Sequence, residues 1–114
     1  MSVKMTTRQV GDVTVIDVVG RITLGEGASA FRDTIRELAA NGKKKLLLNL
    51  AEVSYIDSSG IGEMVSGFTT VANQGGAVKL LNLTKRVRDL LQITKLYTVF
   101  EVFDDEAAAV RSFS

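Results

Sequence analysis

Residues 55–64 read YIDSSGIGEM, and the change of pattern inside this stretch decides how the chain is organised. The segment KLLLNL before it, residues 45–50, is a short continuous apolar run, which is typical of a strand buried on both faces of a sheet. After it, apolar residues recur at helical spacing: Ile61, Met64, Val65, Phe68 and Ala72. The stretch therefore predicts a passage from a buried strand into a helix.

The segments nearest the N-terminus predict a β-hairpin. Residues 3–9 and 13–19 have the pattern of strands, and the second of them, VTVIDVV, is rich in β-branched residues. Gly11 and Asp12 lie between them, and glycine tolerates the positive φ that a tight hairpin turn requires.

A helix is predicted between this hairpin and the central strand. Residues 20–27, GRITLGEG, read as a loop, and apolar residues at helical spacing then predict an amphipathic helix over about 27–41. Thr23 and Glu26 have the spacing of a capping box near its start, and Asn41–Gly42 is a suitable end.

The C-terminal part continues the alternation of strands and helices. Residues 77–83 predict a strand, Thr84 can cap a third helix, residues 97–103 can hold a short strand, and Asp104 can cap a final helix. The order ββαβαβαβα predicts one α/β domain over residues 1–114. Its mixed sheet of about five strands would carry an N-terminal hairpin and about four packed α-helices.

The composition narrows the possible functions. Fourteen basic and thirteen acidic residues give a net charge of +1, which argues against a nucleic-acid partner. The chain has no cysteine and no histidine, so disulfides and zinc sites built on those ligands are excluded. We expect no metal and no cofactor. No apolar run approaches the roughly 20 residues that span a bilayer, so we expect no membrane insertion and a cytoplasmic location.

Enzymatic interpretations of the central stretch find little support. A serine hydrolase would need a general base, and the chain lacks the usual histidine. Gly60 and Gly62 lie where a dinucleotide-binding turn would place glycines, but Val65 stands where the third glycine of that motif belongs. We therefore expect no catalytic residue, although a nucleotide-binding or hydrolytic protein remains as the alternative of a different class.

The two serines admit a structural and a functional interpretation. Ser58 or Ser59 could simply cap the helix, since serine is a favoured N-cap. Capping does not explain two glycines in the first turn, each about 1 kcal/mol less favourable than alanine in a helix. A phosphate on a serine here would be tolerated by the helix N-terminus and would add about −1.5 to −2 charges, which would reverse the net charge.

At these residues the sequence resembles the STAS family, specifically the bacterial anti-sigma factor antagonists. The family pattern D-S-[S/T]-G-hydrophobic-G is matched by residues 57–62, and the resemblance extends over nearly the whole chain. It implies that the unmodified protein binds an anti-sigma factor with serine kinase activity and so frees the sigma factor. Phosphorylation of Ser58 would switch this binding off, and a PP2C-type serine phosphatase would restore it.

The resemblance also implies roles for the surrounding residues. Asp57 and Ser59 would support the phosphorylation site. The partner-binding surface would include these residues: Gly20, Arg21, Ile22, Thr23, Gly60, Ile61, Gly62 and Met64. Well-known members have acidic residues in the segment that corresponds to residues 20–23. Arg21 and Thr23 could therefore change the choice of kinase. Arg21 could also hold a phosphate on Ser58, or be an ordinary exposed loop arginine.

Two further points stay open in the sequence. STAS domains also occur as structural subunits of stress-signalling or lipid-transport assemblies, and the chain could be a monomer or a weak homodimer. Five apolar residues near the C-terminus are interpreted mainly as core, with an exposed docking patch as the alternative: Leu90, Leu91, Ile93, Leu96 and Phe100.

Overall fold

The computed structural model describes residues 3–114, and five strands and four helices form in this part of the chain. The strands are β1 (Val3–Val10), β2 (Val13–Ile22), β3 (Lys45–Ile56), β4 (Ala77–Leu81) and β5 (Val102–Phe103). The helices are α1 (Glu26–Ala40), α2 (Ser58–Asn73), α3 (Lys85–Ile93) and α4 (Glu106–Arg111).

The five strands form one mixed sheet in the order β1-β2-β3-β4-β5. The hairpin strands β1 and β2 are antiparallel, and every other neighbouring pair is parallel. Parallel neighbours need a crossover, and a helix supplies it between β2 and β3 and between β3 and β4. The predicted element order and mixed sheet are confirmed.

Helices cover both faces of the sheet, and the core therefore has two parts. The larger part lies under α1, α2 and α3, and it includes Leu46 and Leu48 of β3. The smaller part lies under α4, where Leu47 packs with Ala109. Because successive side chains of a strand point to opposite faces, the run KLLLNL fills both parts, as its continuous apolar pattern predicts.

The central strands are longer than the sequence pattern predicts. β2 continues to Ile22 and β3 to Ile56, so the predicted loop over residues 20–27 is wrong in its first three positions. Pairing explains the extension, because Arg21 aligns with Tyr55 and Ile22 with Ile56 across the two strands. The carboxyl ends of β2 and β3 therefore lie side by side, directly before α1 and α2.

The predicted capping box of α1 is also wrong. The N-cap residue is Gly25, which has φ of 97° and makes no side-chain cap. This left-handed conformation favours glycine, so backbone geometry and not a Thr23–Glu26 exchange starts the helix. The Thr23 carbonyl instead accepts a hydrogen bond from the Ala28 N–H at 2.8 Å.

The two remaining N-cap predictions concern α3 and α4. Thr84 caps α3 as predicted, since its hydroxyl accepts a hydrogen bond from the Val87 N–H at 3.3 Å. At α4 the prediction of Asp104 is wrong by one residue, because Asp105 is the N-cap and accepts from the Ala108 N–H at 2.9 Å.

Candidate functional site

Ser58 is the first residue of α2 and is exposed, whereas Ser59 is half-buried. The position of Ser58 follows from the local sequence, because β3 ends at Ile56, one residue intervenes, and α2 then begins. The hydroxyl that the sequence singles out thus lies at the carboxyl edge of the sheet, in contact with solvent.

Asp57 caps the helix, so the interpretation of Ser58 or Ser59 as its cap is wrong. Its Oδ1 accepts a hydrogen bond from the Gly60 N–H at 3.0 Å, and its Oδ2 accepts one from the Leu24 N–H at 3.0 Å. One carboxylate therefore ties the start of α2 to the connection between β2 and α1. Neither serine is needed for capping.

The same contacts keep Asp57 ionised. Partial burial alone would raise the pKa of this carboxyl, but the N–H groups of Leu24, Gly60 and Ser59 outweigh it, and the pKa is lowered from its ordinary value. The first turn of α2 thus already directs backbone donors at a negative charge.

The two glycines of the motif have different roles. A Cβ on Gly60 would lie 2.3 Å from the Ile22 carbonyl oxygen and 2.7 Å from a side-chain carbon of Ile56. Gly60 is therefore required by the close approach of α2 to the ends of β2 and β3. A Cβ on Gly62 would meet nothing within 4 Å, and this residue is exposed. Packing within the chain does not explain Gly62.

Several predicted partner-binding residues lie beneath the surface. The side chains of Ile22, Ile61 and Met64 are 0%, 3% and 1% exposed and belong to the main core. They support the site from below and do not offer side-chain contacts to a partner in this conformation. Around them, Arg21 is exposed, and Gly20 and Thr23 are half-buried.

An open groove of about 650 Å³ lies beside Ser58. One wall comes from the end of β3 and the start of α2, and the other comes from α3. The lining residues are Tyr55, Ile56, Asp57, Ser58, Lys85, Arg86, Asp89, Leu90 and Ile93. The charged residues of α3 were not predicted as part of the site, and the interpretation of Ile93 as core is wrong, since this residue is 76% exposed.

Two arginine side chains lie over the ring of Tyr55 beside this groove. The guanidinium carbon of Arg86 lies 4.5 Å from the ring centroid, and that of Arg21 lies 5.3 Å from it. Within residues 3–114, neither arginine forms an ion pair. The sequence does contain a signal for Arg86. Two positively charged residues, Lys85 and Arg86, directly follow the N-cap Thr84 of α3.

Two other kinds of functional feature are absent from the part of the chain that the structure describes. Residues 3–114 contain no cluster of three or more acidic side chains that could hold a metal ion. Among the helices described there, none has the length and apolar character needed to cross a membrane.

Known proteins resemble this chain in sequence and in fold. The family model of the STAS domain matches residues 4–109, which is nearly the whole chain. The chain belongs to the STAS domain family. A relative from Bacillus subtilis (strain 168), the anti-sigma-B factor antagonist, is 32% identical, and the match covers 90% of this chain and 92% of the relative.

Solved structures agree with this STAS fold. An anti-sigma factor antagonist from Mycobacterium paratuberculosis has a TM-score of 0.84 at 17% identity, covering 98% of this chain and 94% of the other. The Bacillus cell fate determinant SpoIIAA in its phosphorylated form has a TM-score of 0.76 at 20% identity, covering 97% and 100%. Because the identities are low, these structural likenesses establish the fold alone.

Proposed function

We propose that this STAS protein is an anti-sigma factor antagonist that a phosphate on Ser58 switches off. In this proposal the unmodified chain binds an anti-sigma factor that is also a serine kinase, and the sigma factor is thereby released. The Bacillus subtilis relative, which is named an anti-sigma-B factor antagonist, supports this assignment over most of the chain.

The observation that carries the proposal is the exposure of Ser58 above a fully packed support. The serine hydroxyl faces solvent, while Gly60, Ile61 and Met64 directly after it are buried. Asp57, and not Ser58, makes the side-chain hydrogen bond that caps the helix. A group added to Ser58 therefore changes the surface without removing a contact on which the fold depends.

The chemistry of the switch is a phosphoryl transfer. The kinase partner transfers the γ-phosphoryl group of ATP to the Ser58 Oγ, the hydroxyl proton leaves, and ADP is the second product. The protein changes from a net charge of +1 to a net negative charge. Like-charge contact and added bulk at the docking surface then release the partner.

The remaining components of the cycle follow from the same proposal. A PP2C-type serine phosphatase hydrolyses the phosphate ester and returns Ser58 to its hydroxyl form. The STAS protein supplies a surface and a phosphate acceptor, has no catalytic residue of its own, and acts in the cytoplasm as a monomer or weak homodimer. Arg21, Gly62 and the exposed groove residues form the surface that the partner meets.

Phosphorylation by the cognate kinase tests this function. Incubation with the kinase and ATP should add one phosphate, which mass spectrometry after proteolysis should locate on Ser58. Ser58→Ala should accept no phosphate and still bind the partner, and Ser66→Ala, at an exposed serine later in α2, serves as the matched control that remains a substrate. Modification only at another residue, or binding that is the same with and without phosphate, would instead favour a structural subunit of a larger assembly.

A further inference from the structure

Two backbone donors in the first turn of α2 are already directed at a carboxylate. The N–H of Gly60 donates to Asp57, and the N–H of Ser59 also contributes to holding that carboxylate. A phosphate on Ser58 would therefore lie next to an existing negative charge. Two such anions side by side repel each other unless a cation lies near both.

Two cations line the groove, and among the described residues only one of them lacks a carboxylate partner. The Nζ of Lys85 donates to Asp89 at 2.7 Å, so this charge is already paired on the helix surface. Arg86 shares the groove with Ser58 and forms no ion pair within the described residues. Arg21, the alternative that the sequence suggests, is not among the residues that line the groove.

Two arginines place positive charge on one tyrosine beside the groove. Arg21 and Arg86 both lie over Tyr55, at 5.3 Å and 4.5 Å from its ring centroid. Stacking on the ring fixes each guanidinium, but the two positive charges repel each other. A doubly charged phosphate in the groove would offset part of this positive charge. The planar guanidinium group also suits phosphate, because it can donate two parallel hydrogen bonds.

We infer that Arg86 binds the phosphoryl group on Ser58 within the same chain, in the groove between the start of α2 and α3. Tyr55 acts as the positioning residue that holds the guanidinium at the groove. This inference rests on the proposed function only in requiring a phosphate on Ser58. It adds a second effect to the switch: phosphorylation fills the groove and removes Arg86 from the surface that the partner meets.

The phosphate's own titration reports this contact. Phosphoserine inserted at position 58 during translation makes the modified chain without any kinase, and ³¹P NMR then follows the second pKa of the phosphate. The charged residues around that position are Asp57, Lys85, Arg86 and Asp89, with Arg21 on Tyr55. Because Asp57 raises this pKa and Arg86 lowers it, removing the guanidinium should give a clear upward shift.

We expect the second pKa in Arg86→Gln to lie about half a unit or more above that of the unsubstituted phosphoprotein. Arg111→Gln removes one exposed positive charge from α4, on the other face of the sheet, and should leave the pKa unchanged. Arg86→Lys keeps the charge without the planar group and should give a smaller rise. It carries the same test if circular dichroism shows that Arg86→Gln does not fold.

A second pKa that is the same in the unsubstituted protein and the Arg86 variants would overturn the inference. So would an equal rise in Arg111→Gln, since the effect would then come from net charge and not from contact. Neither result depends on a kinase or a partner. Failure of the proposed function would show itself separately, as a Ser58 that no cognate kinase modifies.

Discussion

Arginine side chains at two sites of this molecule differ in whether a carboxylate partner is already present. On the α4 side, Arg8 donates to Asp17 at 2.6 and 3.1 Å and to Glu106 at 2.7 and 2.9 Å. Beside Ser58, Arg21 and Arg86 stack on Tyr55 with no carboxylate partner among the described residues.

The difference separates a structural cluster, which is paired, from a functional cluster, which is unpaired. The paired cluster is Arg8 with Asp17 and Glu106, and the unpaired cluster is Arg21 and Arg86 on Tyr55. Arg8 links β1, β2 and α4, and its two carboxylates raise its pKa while it lowers theirs. Removing it would leave two neighbouring carboxylates, Asp17 and Glu106, without their cation. Removing Arg86 would leave only a tyrosine and a more open groove. The paired cluster should therefore affect stability, and the unpaired one should affect what the surface binds.

The largest loss of stability should come from the buried support beneath Ser58. Gly60→Ala places a methyl group against the Ile22 carbonyl oxygen, and we expect the free energy of unfolding to fall by about 2–3 kcal/mol. Urea denaturation followed by circular dichroism measures the change.

Gly62→Ala is the matched control for this substitution. Its methyl group meets open space, so the variant should be as stable as the original or up to about 1 kcal/mol more stable. Equal losses for the two variants would contradict the assignment of Gly60 to packing and Gly62 to the surface.

The second largest loss of stability should come from substitution of Asp57. Asp57→Ala loses both the cap of α2 and the bond to Leu24, and we expect a loss of about 1–2 kcal/mol at neutral pH. The carboxyl has a lower pKa in the folded chain than in the unfolded one. Its ionised form therefore contributes stability above the unfolded pKa of about 3.9, and this contribution is lost as the pH falls through the folded pKa.

Asp57→Asn separates the cap from the charge. Asparagine is also a good N-cap, so this variant should lose less stability at neutral pH than Asp57→Ala does. It should also show a weaker fall in stability on acidification than the original chain, as measured by urea denaturation across acidic pH. An unchanged acid dependence would mean that Asp57 is not the group that responds.

The paired arginine should give a smaller loss. Arg8→Ala removes a partly exposed network, in which solvent screens the charges, and we expect a cost of about 1 kcal/mol. Binding of the anti-sigma factor should not change, because Arg8 contacts α4 and not the Ser58 groove. A loss of binding without a loss of stability would reverse the roles given to the two clusters.

The smallest effect on stability should come from the unpaired arginines. Arg21→Gln and Arg86→Gln should each stay within about 0.5 kcal/mol of the original chain, since lost stacking on Tyr55 is offset by relief of repulsion. Thermal unfolding measures this in the unmodified protein. A loss as large as that of Arg8→Ala would show that the tyrosine stack is mainly structural.

Much of the fold could be predicted because apolar spacing records which faces are buried. The double-sided burial of KLLLNL and the helix containing Ile61 and Met64 both follow from local pattern. The ends of β2 and β3 could not be predicted in this way, because their extent depends on the pairing of Arg21 with Tyr55 and of Ile22 with Ile56.

The candidate site was predicted in part for the same reason. Ser58 and Asp57 belong to one short motif, so the sequence brings them together. Arg86 and Ile93 lie on a later helix, and only the packing of α3 against the sheet places them beside Ser58. The cap itself is local, because Asp57 accepts from the Gly60 N–H three residues later and aspartate is as favoured an N-cap as serine. Only its second bond, from the Leu24 N–H, depends on the fold.

The central claim is that a phosphate on Ser58 changes what this surface binds while the fold stays intact. Calorimetric titration of the cognate anti-sigma factor into the unmodified and the Ser58-phosphorylated protein tests it, with thermal unfolding of both forms. We expect phosphorylation to weaken binding at least tenfold while the melting temperature shifts by less than about 4 °C. Equal affinity of the two forms, or loss of binding only because the phosphorylated chain unfolds, would contradict it.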